Sequence, residues 1–143
     1  MKQYPSRLKF KKNHRPSLST LYLKETKLFY PEKGVMMLQS LENYKLTFNQ
    51  LEACRKCIRR IVEKQGVVFL RVFTNISVTK KPVATRMGKG KGSHHIWMAV
   101  IKRGQIICEL VCPSIEKFNI SYKALKAAST KLPVRTKIQL NLY

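Results

Sequence analysis

The residues best suited to chemistry lie in a short segment of the chain in which glycine and lysine alternate. Residues 86–92 read Arg-Met-Gly-Lys-Gly-Lys-Gly. Glycine has no Cβ, so its backbone N–H group can come close to an anion, while the alternating lysines add positive charge along a flexible ribbon. Met87 adds a polarizable surface that can lie against a base or sugar. The pattern indicates contact with a phosphate backbone.

Residues 86–92 have two other possible interpretations. A nucleotide-binding loop of the G-x-x-x-x-G-K-[ST] type needs another glycine spacing and a following helix, whereas a strand is predicted from His95 onward. A plain solvated linker can have a similar composition and stays open. The connection around this segment spans about fifteen residues, and connections of that length are usually functional or disordered. Contact with RNA is therefore the preferred interpretation.

The charge of the whole chain favours the same partner. The 143 residues include 29 Lys and Arg against 7 acidic residues, all Glu, which gives a formal net charge of +22. Such charge repels itself in an isolated chain, so a polyanion is expected to bind, and nucleic acid is the leading candidate. No acidic residue precedes Glu25, and none lies between Glu63 and Glu109.

A membrane partner is not expected. A membrane-surface helix needs a basic face and an apolar face, and the basic N-terminal region lacks that period. No apolar run approaches the roughly 18 residues of a spanning helix. Residues 1–20, with Pro5 and Pro16, predict instead an extended basic arm that becomes ordered on a partner. The same composition is typical of an organelle targeting peptide, so both interpretations remain open at this point.

The four cysteines raise the question of a metal site. Cys54 and Cys57 form a C-x2-C pair, and Cys108 and Cys112 form a C-x3-C pair. Structural zinc pairs usually lie on tight turns, whereas the first pair lies in a helical pattern and Cys108 lies in a strand-like run. We expect reduced, packing cysteines, with no metal and no cofactor.

Catalytic residues are scarce. The chain has no Asp, and its glutamates show no spacing typical of paired carboxylates. His94 and His95 could in principle serve a nuclease, but neighbouring side chains of a strand point to opposite faces, so one of the two should be buried or stacked. We expect no enzymatic activity and no small-molecule substrate.

A first helix is predicted to position one group of basic residues. Thr47 and Gln50 match a capping box, so a helix should begin there, and Gly66 should end it as a left-handed cap. Its apolar stripe is predicted to comprise Leu51, Cys54, Ile58, Ile61 and Val62. Arg55 and Arg59 flank that stripe, and a solvated helix face and an RNA contact are equally good interpretations of them.

The other elements predict an antiparallel framework. Residues 67–73 should form a buried strand that residues 76–79 continue, and residues 95–101 and 105–111 should form a hairpin around a turn at residues 103–104. Residues 21–41 are mixed, with short strands suggested at 21–23 and 28–30. A second helix is expected over residues 121–131, with these residues facing inward: Tyr122, Leu125, Ala128 and Leu132.

Residues 134–142 alternate between apolar and polar types and predict a half-exposed strand. Two helices and five or six mostly antiparallel strands then make an α+β sandwich the expected fold class. We expect residues 1–20 to form the arm and residues 21–143 to form a single RNA-binding domain, in which a long basic Gly-rich loop spans residues 80–94.

Residues 86–92, with residues 81–82 and 71–73 ahead of them, resemble the bacterial-type large-subunit ribosomal protein sixteen, the L-sixteen family. The resemblance covers residues 4–15 and about 44–138. Its further motifs are Pro5, Arg7, Lys9, Phe10, Lys12 and His14 in the arm, Leu46, Thr47, Gln50, Glu52, Ala53 and Arg55 in the first helix, and Trp97, Lys131, Leu132, Pro133 and Thr136 later. Residues 16–43 depart from the family, which carries a glycine-rich basic stretch there.

The resemblance implies an α/β-hammerhead-like sandwich that is a structural constituent of the large ribosomal subunit. Such a protein binds large-subunit rRNA and neighbouring ribosomal proteins, and helps to position the tRNA acceptor arm near the aminoacyl site and peptidyl-transferase centre during translation. It performs no chemistry itself. A free-standing nucleic-acid-binding regulator is the alternative function that the same charge would support.

The residues expected to bind RNA combine the family motifs with their basic neighbours. They are Arg7, Lys9, Lys11, Lys12, His14, Arg15, Arg55, Arg59, Lys80, Lys81, Arg86, Met87, Gly88, Lys89, Gly90, Lys91 and Gly92. The divergence of residues 16–43 and the richness in Lys, Ile, Tyr and Phe suggest an organellar, mitochondrial ribosome. Because the family pattern begins at Tyr4 and Pro5, no room for a presequence is expected, which favours the mature arm and synthesis inside the organelle.

Overall fold

The computed structural model describes residues 4–14, 36–63, 66–88, 90–111 and 118–140. Within these ranges the chain forms two helices and seven strands. In chain order they are β1 (Met36–Ser40), β2 (Tyr44–Thr47), α1 (Phe48–Val62), β3 (Val67–Leu70), β4 (Ile76–Lys80), β5 (Ser93–Ile101), β6 (Ile106–Val111), α2 (Phe118–Ser129) and β7 (Thr136–Leu140).

The strands form two antiparallel sheets. A four-stranded sheet has the order β3-β6-β1-β7, and a three-stranded sheet has the order β2-β5-β4. Every described strand pair is antiparallel. With the two helices, this arrangement confirms the predicted α+β class, although the strands β1 and β2 were not predicted as such.

The core lies between the two helices and strands of both sheets. The helices pack on each other, and they contribute Leu51, Ile58 and Leu125 to a buried cluster with Leu38 and Leu110 of the central strands. Burial of each such side chain contributes about 1.5–3 kcal/mol to folding, so this cluster carries much of the stability.

Helix α1 begins as predicted. The Gln50 backbone N–H donates to Thr47 Oγ1 at 3.3 Å, and the Thr47 N–H donates to Gln50 Oε1 at 2.9 Å, which completes the capping box. Four of the five predicted stripe residues are buried, whereas Ile61 is 37% exposed. The prediction for Ile61 was wrong because 3.6-residue periodicity places it at the edge of the buried stripe, beside Val62.

The predicted end of α1 at a left-handed Gly66 was also wrong. The helix ends at Val62, and Glu63 follows with φ 54°. Gly66 has another role, because a Cβ there would lie 2.8 Å from Val62 Cγ1 and 2.9 Å from the Val111 carbonyl oxygen. Gly66 therefore lets the chain pass closely between the end of the helix and β6.

The predicted hairpin between β5 and β6 does not form. A turn is present, in which the Gln105 N–H donates to the Lys102 carbonyl at 3.1 Å and Gly104 has φ 85°. After this turn the two strands belong to different sheets. The Gly104 N–H donates to the Ser40 carbonyl at 2.7 Å, and β6 pairs with β1 instead of with β5. Strand β5 pairs with β2 and β4 instead.

Three smaller predictions need correction. Strand β3 is a four-residue edge strand rather than a buried strand over residues 67–73, and Val67 and Phe73 are 54% and 52% exposed. Helix α2 begins at Phe118 rather than Ser121. Tyr122 is exposed, whereas Leu125, Ala128 and Leu132 are buried as predicted.

Strand β7 confirms the predicted half-exposed strand over Thr136–Leu140, where it pairs with β1. The strand begins two residues later than predicted, because residues 134–135 are outside it. The strands suggested at 21–23 and 28–30 lie outside the described residues, as do Arg15, Lys89 and Cys112. No helix among the described residues is long and apolar enough to cross a membrane.

Candidate nucleic-acid interface

A β-hairpin positions the glycine- and lysine-rich segment. Strands β4 and β5 pair from Ile76↔Met98 to Lys80↔Ser93, so residues 81–92, here called the loop, connect the two ends of the hairpin. The register shifts between Val78 and Thr79, because Val78 pairs with Ile96 and Thr79 with His94. His95 is therefore the extra residue of a β-bulge, a feature that bends a strand and redirects its side chains.

The bulge fixes one histidine at the base of the loop. Ser77 Oγ and His94 Nδ1 lie 2.7 Å apart, and the His94 ring packs on Trp97 with centroids 4.6 Å apart. His95 is exposed. The prediction that one of the two histidines is buried or stacked is confirmed. His94 thus ties β4 to β5 where the loop begins.

Two different constraints require the loop glycines. Gly88 and Gly90 have φ of 93° and 83°, a left-handed conformation that side chains with a Cβ rarely adopt, although the space around them is open. Gly92 is constrained by packing, because a Cβ there would lie 2.5 Å from the Lys80 carbonyl oxygen. The sequence pattern predicted that these glycines are needed for the backbone to approach an anion. It did not predict that backbone conformation requires glycine at positions 88 and 90, or that packing requires it at position 92.

Hydrogen bonds within the loop hold part of its shape. Lys81 Nζ donates to the Gly88 carbonyl at 2.5 Å, and the Thr85 N–H donates to the Pro82 carbonyl at 3.2 Å. The side chains of Val83 and Met87 are almost completely exposed, at 97% and 101%. The loop therefore presents apolar as well as cationic surface to whatever binds there.

Residues 4–14, here called the arm, contact the loop. Lys12 Nζ donates to the Lys91 carbonyl at 3.1 Å, and Lys91 Nζ donates in return to the Asn13 carbonyl. At its other end, Tyr4 packs edge-on against Phe48 of α1 with ring centroids 5.1 Å apart. The arm contains neither helix nor strand in this structure. Arm and loop thus lie side by side although 79 residues separate Lys12 from Lys91.

The joined arm and loop form one cationic surface. Neither segment contains an acidic residue. Phe10 is 72% exposed and lies under Lys9 Nζ, which is 5.6 Å from the ring centroid. The predicted RNA-binding residues that this surface brings together, and that are exposed, are Arg7, Lys9, Lys11, Lys12, His14, Lys80, Lys81, Arg86, Met87, Gly88, Gly90 and Lys91, with Gly92 half-buried beside them. The separate sequence motifs did not predict that the two segments meet.

Arg55 and Arg59 lie on another surface. Both line a groove of about 570 Å³ between the end of α1 and β3, together with Glu63, Gly66, Val67 and Val68. Arg55 donates from Nε and Nη2 to both carboxylate oxygens of Glu52, at 2.9 and 2.6 Å. This hydrogen bonding lowers the pKa of Glu52 against the opposing effect of burial, and raises the pKa of Arg55.

The cysteines do not assemble a metal site in the described part of the chain. No group of three or more His, Cys, Asp or Glu residues there could hold a metal ion. Cys54 and Cys108 are buried, and Cys57 is half-buried. A hydrogen bond with Cys54, and then burial, raises the pKa of the Cys108 thiol well above its ordinary value. The thiol form therefore packs in the core at neutral pH.

Comparison with known proteins identifies the family. A sequence model of the family described as ribosomal protein L16p/L10e matches residues 5–139. This range includes the arm from Pro5 onward, the loop, and every described helix and strand except the last residue of β7. The chain belongs to this family. This match agrees with the resemblance of residues 86–92 to the L-sixteen family. It also extends through residues 16–43, where the chain departs from the bacterial-type pattern.

Individual relatives support the same assignment over nearly the whole chain. The large ribosomal subunit protein uL16c of Guillardia theta is 42% identical over 133 residues, covering 93% of this chain and 95% of the relative. The corresponding uL16c of Emiliania huxleyi is 40% identical over 134 residues, covering 94% and 93%. The uL16 protein of Chlamydia trachomatis serovar L2 is 41% identical over 133 residues, covering 93% and 92%. This L16p/L10e member is a structural constituent of the large ribosomal subunit.

The predicted mitochondrial location is overturned by these relatives. They are chloroplast-type uL16c proteins of algae and uL16 proteins of bacteria, and they point to a plastid or bacterial ribosome. The reasoning from divergence was wrong because a bias toward Lys, Ile, Tyr and Phe and a divergent segment do not distinguish one organelle or lineage from another. No catalytic activity is indicated for this family of structural proteins.

Proposed function

We propose that the joined arm and loop bind large-subunit rRNA, and that the exposed tip of the loop helps to position the acceptor arm of tRNA near the aminoacyl site and peptidyl-transferase centre. The observation that carries this proposal is the reciprocal bonding of Lys12 and Lys91. It unites two acid-free segments on one surface of a member of the L16p/L10e family. Neighbouring ribosomal proteins are further expected partners.

The chemistry of this surface suits RNA. An ammonium group has three donors, so Lys12 and Lys91 each keep donors for a phosphate after donating to one carbonyl. Neutralising phosphates with lysine and arginine releases counterions, which supplies much of the affinity for RNA. Phe10 offers an exposed ring beside the cations, and aromatic rings stack on unpaired bases. The surface therefore combines charge for the backbone with apolar area for bases or sugars.

The tip of the loop supports the tRNA part of the proposal. Met87 and Val83 extend into solvent with hardly any contact to the rest of the protein. Gly88 and Gly90 next to Met87 allow the backbone to approach a sugar or phosphate closely, since no Cβ stands in the way. A photo-crosslinker at position 87 in assembled large subunits should label the acceptor arm of tRNA, whereas labelling of rRNA alone would remove tRNA from the proposal.

We also propose the domain organisation that the sequence predicts. The whole N-terminal region, residues 1–20, would be extended and basic, and would include the arm. Residues 21–143 would form a single rRNA-binding domain with a hammerhead-like arrangement, and its Gly-rich connection over residues 80–94 would include the loop. The protein would hold RNA in place and perform no chemical step. Lys89 and Arg15 belong to the proposed RNA-binding set by their sequence positions.

Binding of the purified protein to deproteinised large-subunit rRNA tests the proposal directly. The dissociation constant should be lowest for this rRNA at low salt with magnesium, and its logarithm should rise linearly with the logarithm of salt concentration. Matched competitors are an unrelated structured RNA and duplex DNA of the same length. Preferential binding to DNA or to one mRNA, without protection of rRNA, would indicate a free-standing regulator instead.

A further inference from the structure

The groove between the end of α1 and β3 lies outside the arm and the loop. It is lined by two arginines on successive turns of α1, by Glu63, and by Gly66, Val67 and Val68 at the edge of the larger sheet. Its volume of about 570 Å³ is in the range of clefts that enclose small organic groups. Among the described strands β3 is at the edge of the larger sheet, and its residue Val67, which is 54% exposed, forms an apolar wall of the groove.

Arg55 is held in a fixed plane at this groove. Two of its donors, Nε and Nη2, are bound by the two carboxylate oxygens of Glu52. What remains for an occupant of the groove is chiefly the flat face of the guanidinium group and Nη1. Guanidinium faces stack on nucleobases, and a guanidinium held by a carboxylate needs no further ordering before it does so.

Arg59 offers a different contact. It lies one helical turn beyond Arg55, so the two side chains start about 5–6 Å apart on the same face of α1. A phosphate attached to a nucleoside whose base stacks on Arg55 would lie within reach of Arg59, which is exposed. Glu63, at the next turn, disfavours a second phosphate beyond the first. The wall formed by Val67 suits the apolar face of a ribose.

From this geometry we infer that the groove binds one unpaired nucleotide of RNA, with its base on Arg55 and its phosphate on Arg59. This inference rests on the proposed function only in taking RNA as the ligand, because the groove residues do not belong to the arm or loop. Another partner would be an extended peptide lying along the outer side of β3. The two guanidinium groups and the net charge of +22 favour the phosphate-bearing ligand.

Substitution of Val67 by residues of opposite charge distinguishes an RNA nucleotide from a peptide in the groove. Val67→Glu and Val67→Lys have side chains of similar length, so they perturb the edge strand to a similar degree while changing the groove in opposite electrostatic senses. With deproteinised large-subunit rRNA, Val67→Glu should weaken binding about three- to tenfold, and Val67→Lys should bind at least as tightly as the unaltered protein. Equal loss in both variants would overturn the inference. Thermal melting of both variants checks that the fold is kept.

Chemical probing of unpaired bases locates the effect. Arg59→Ala should remove protection from a small set of unpaired nucleotides and keep the protections that depend on Lys91. Arg60→Ala is the matched control, because Arg60 is exposed on the same helix and does not line the groove. An unchanged footprint in Arg59→Ala, or a photo-crosslink from position 67 to protein in intact subunits, would overturn the groove assignment alone. Absence of any rRNA protection by the unaltered protein would overturn the proposed function as well.

Discussion

Lys12 and Lys91 each donate a hydrogen bond from the side-chain ammonium group to the backbone of the other's segment, Lys12 to the Lys91 carbonyl and Lys91 to the Asn13 carbonyl. The two lysines therefore join the arm to the loop, and neither segment contains an acidic residue that would neutralise them. A bound phosphate would supply that negative charge. Loss of either lysine is therefore expected to affect both segments.

Replacement of Lys12 and Lys91 by Ala should show that the arm and loop bind RNA as a unit. Each single variant should reduce the salt slope of rRNA binding by about one, as the loss of one phosphate contact does. The double variant should lose less binding free energy than the sum of the singles, by at least about 0.5 kcal/mol, because each change removes one of the two hydrogen bonds that join the arm to the loop. Additive losses in this double-mutant cycle would mean that the two segments bind independently.

Lys137 provides the control for that cycle. It is exposed on β7, in the other sheet, and no described hydrogen bond joins it to the arm or the loop. The Lys137→Ala change should therefore be additive with Lys91→Ala. The affinity of every variant for rRNA is measured over the same series of salt concentrations. This comparison separates the coupling of Lys12 to Lys91 from the general effect of losing positive charge.

Gly90→Val should impair RNA binding without removing any charge. The φ of 83° at this position is in the left-handed region, where a β-branched side chain costs about 1–3 kcal/mol, although no atom blocks the new Cβ. Gly90→Asn is the matched control, because Asn tolerates left-handed backbone better than other residues with a Cβ. Affinity for rRNA should fall in the Val variant and largely recover in the Asn variant. Equal affinity in all three proteins would show that this backbone conformation is not needed for binding.

Gly92→Ala should act on stability instead. Its Cβ would lie 2.5 Å from the Lys80 carbonyl oxygen, which is backbone of the paired strand and cannot move as a side chain can. We expect the free energy of unfolding to fall by about 1–3 kcal/mol, the usual range for overpacking. Urea titration followed by circular dichroism measures this change. Gly88→Ala separates packing from backbone strain, because nothing lies within 4 Å of the new Cβ there although φ is 93°, so this change should leave the β4–β5 pairing intact.

The Glu52–Arg55 pair should make the stability of the protein depend on pH in the acidic range. The hydrogen bond from Arg55 holds the pKa of Glu52 below its ordinary value in the folded protein. The stabilisation is therefore fully present above the pKa of the unfolded carboxyl group, and it is lost as the pH falls through the lowered pKa. Melting temperatures of the unaltered protein and of Glu52→Gln should converge toward acidic pH. A constant difference between them at all pH values would contradict this linkage.

Local patterns predicted the parts of this fold that depend on neighbouring residues in the chain. The capping box at Thr47, the buried stripe of α1 and the turn at Gly104 are set by interactions within a few residues, and they were predicted correctly apart from Ile61. The pairing of β5 and β6 was wrong, because hydrogen bonds to Ser40, far away in sequence, direct the two strands into separate sheets. Sequence periodicity carries no information about such distant partners.

In the candidate interface, too, the local patterns were informative and the long-range contacts were not predicted. The spacing of glycine and lysine predicted an RNA-binding loop, and basic composition predicted an RNA-binding arm. Their contact through Lys12 and Lys91 depends on the way in which the sheets and α1 place the two segments. The groove was not predicted either. Gly66 makes it by allowing β3 to approach α1, and the pattern had suggested only a helix cap for that residue.

A density map of the large ribosomal subunit containing this chain would show what lies beside Lys12 and Lys91. We expect rRNA phosphates within hydrogen-bond distance of both ammonium groups, with the arm still lying against the loop. If both ammonium groups face solvent or another protein, with no RNA backbone beside them, the joined arm and loop do not bind rRNA as proposed.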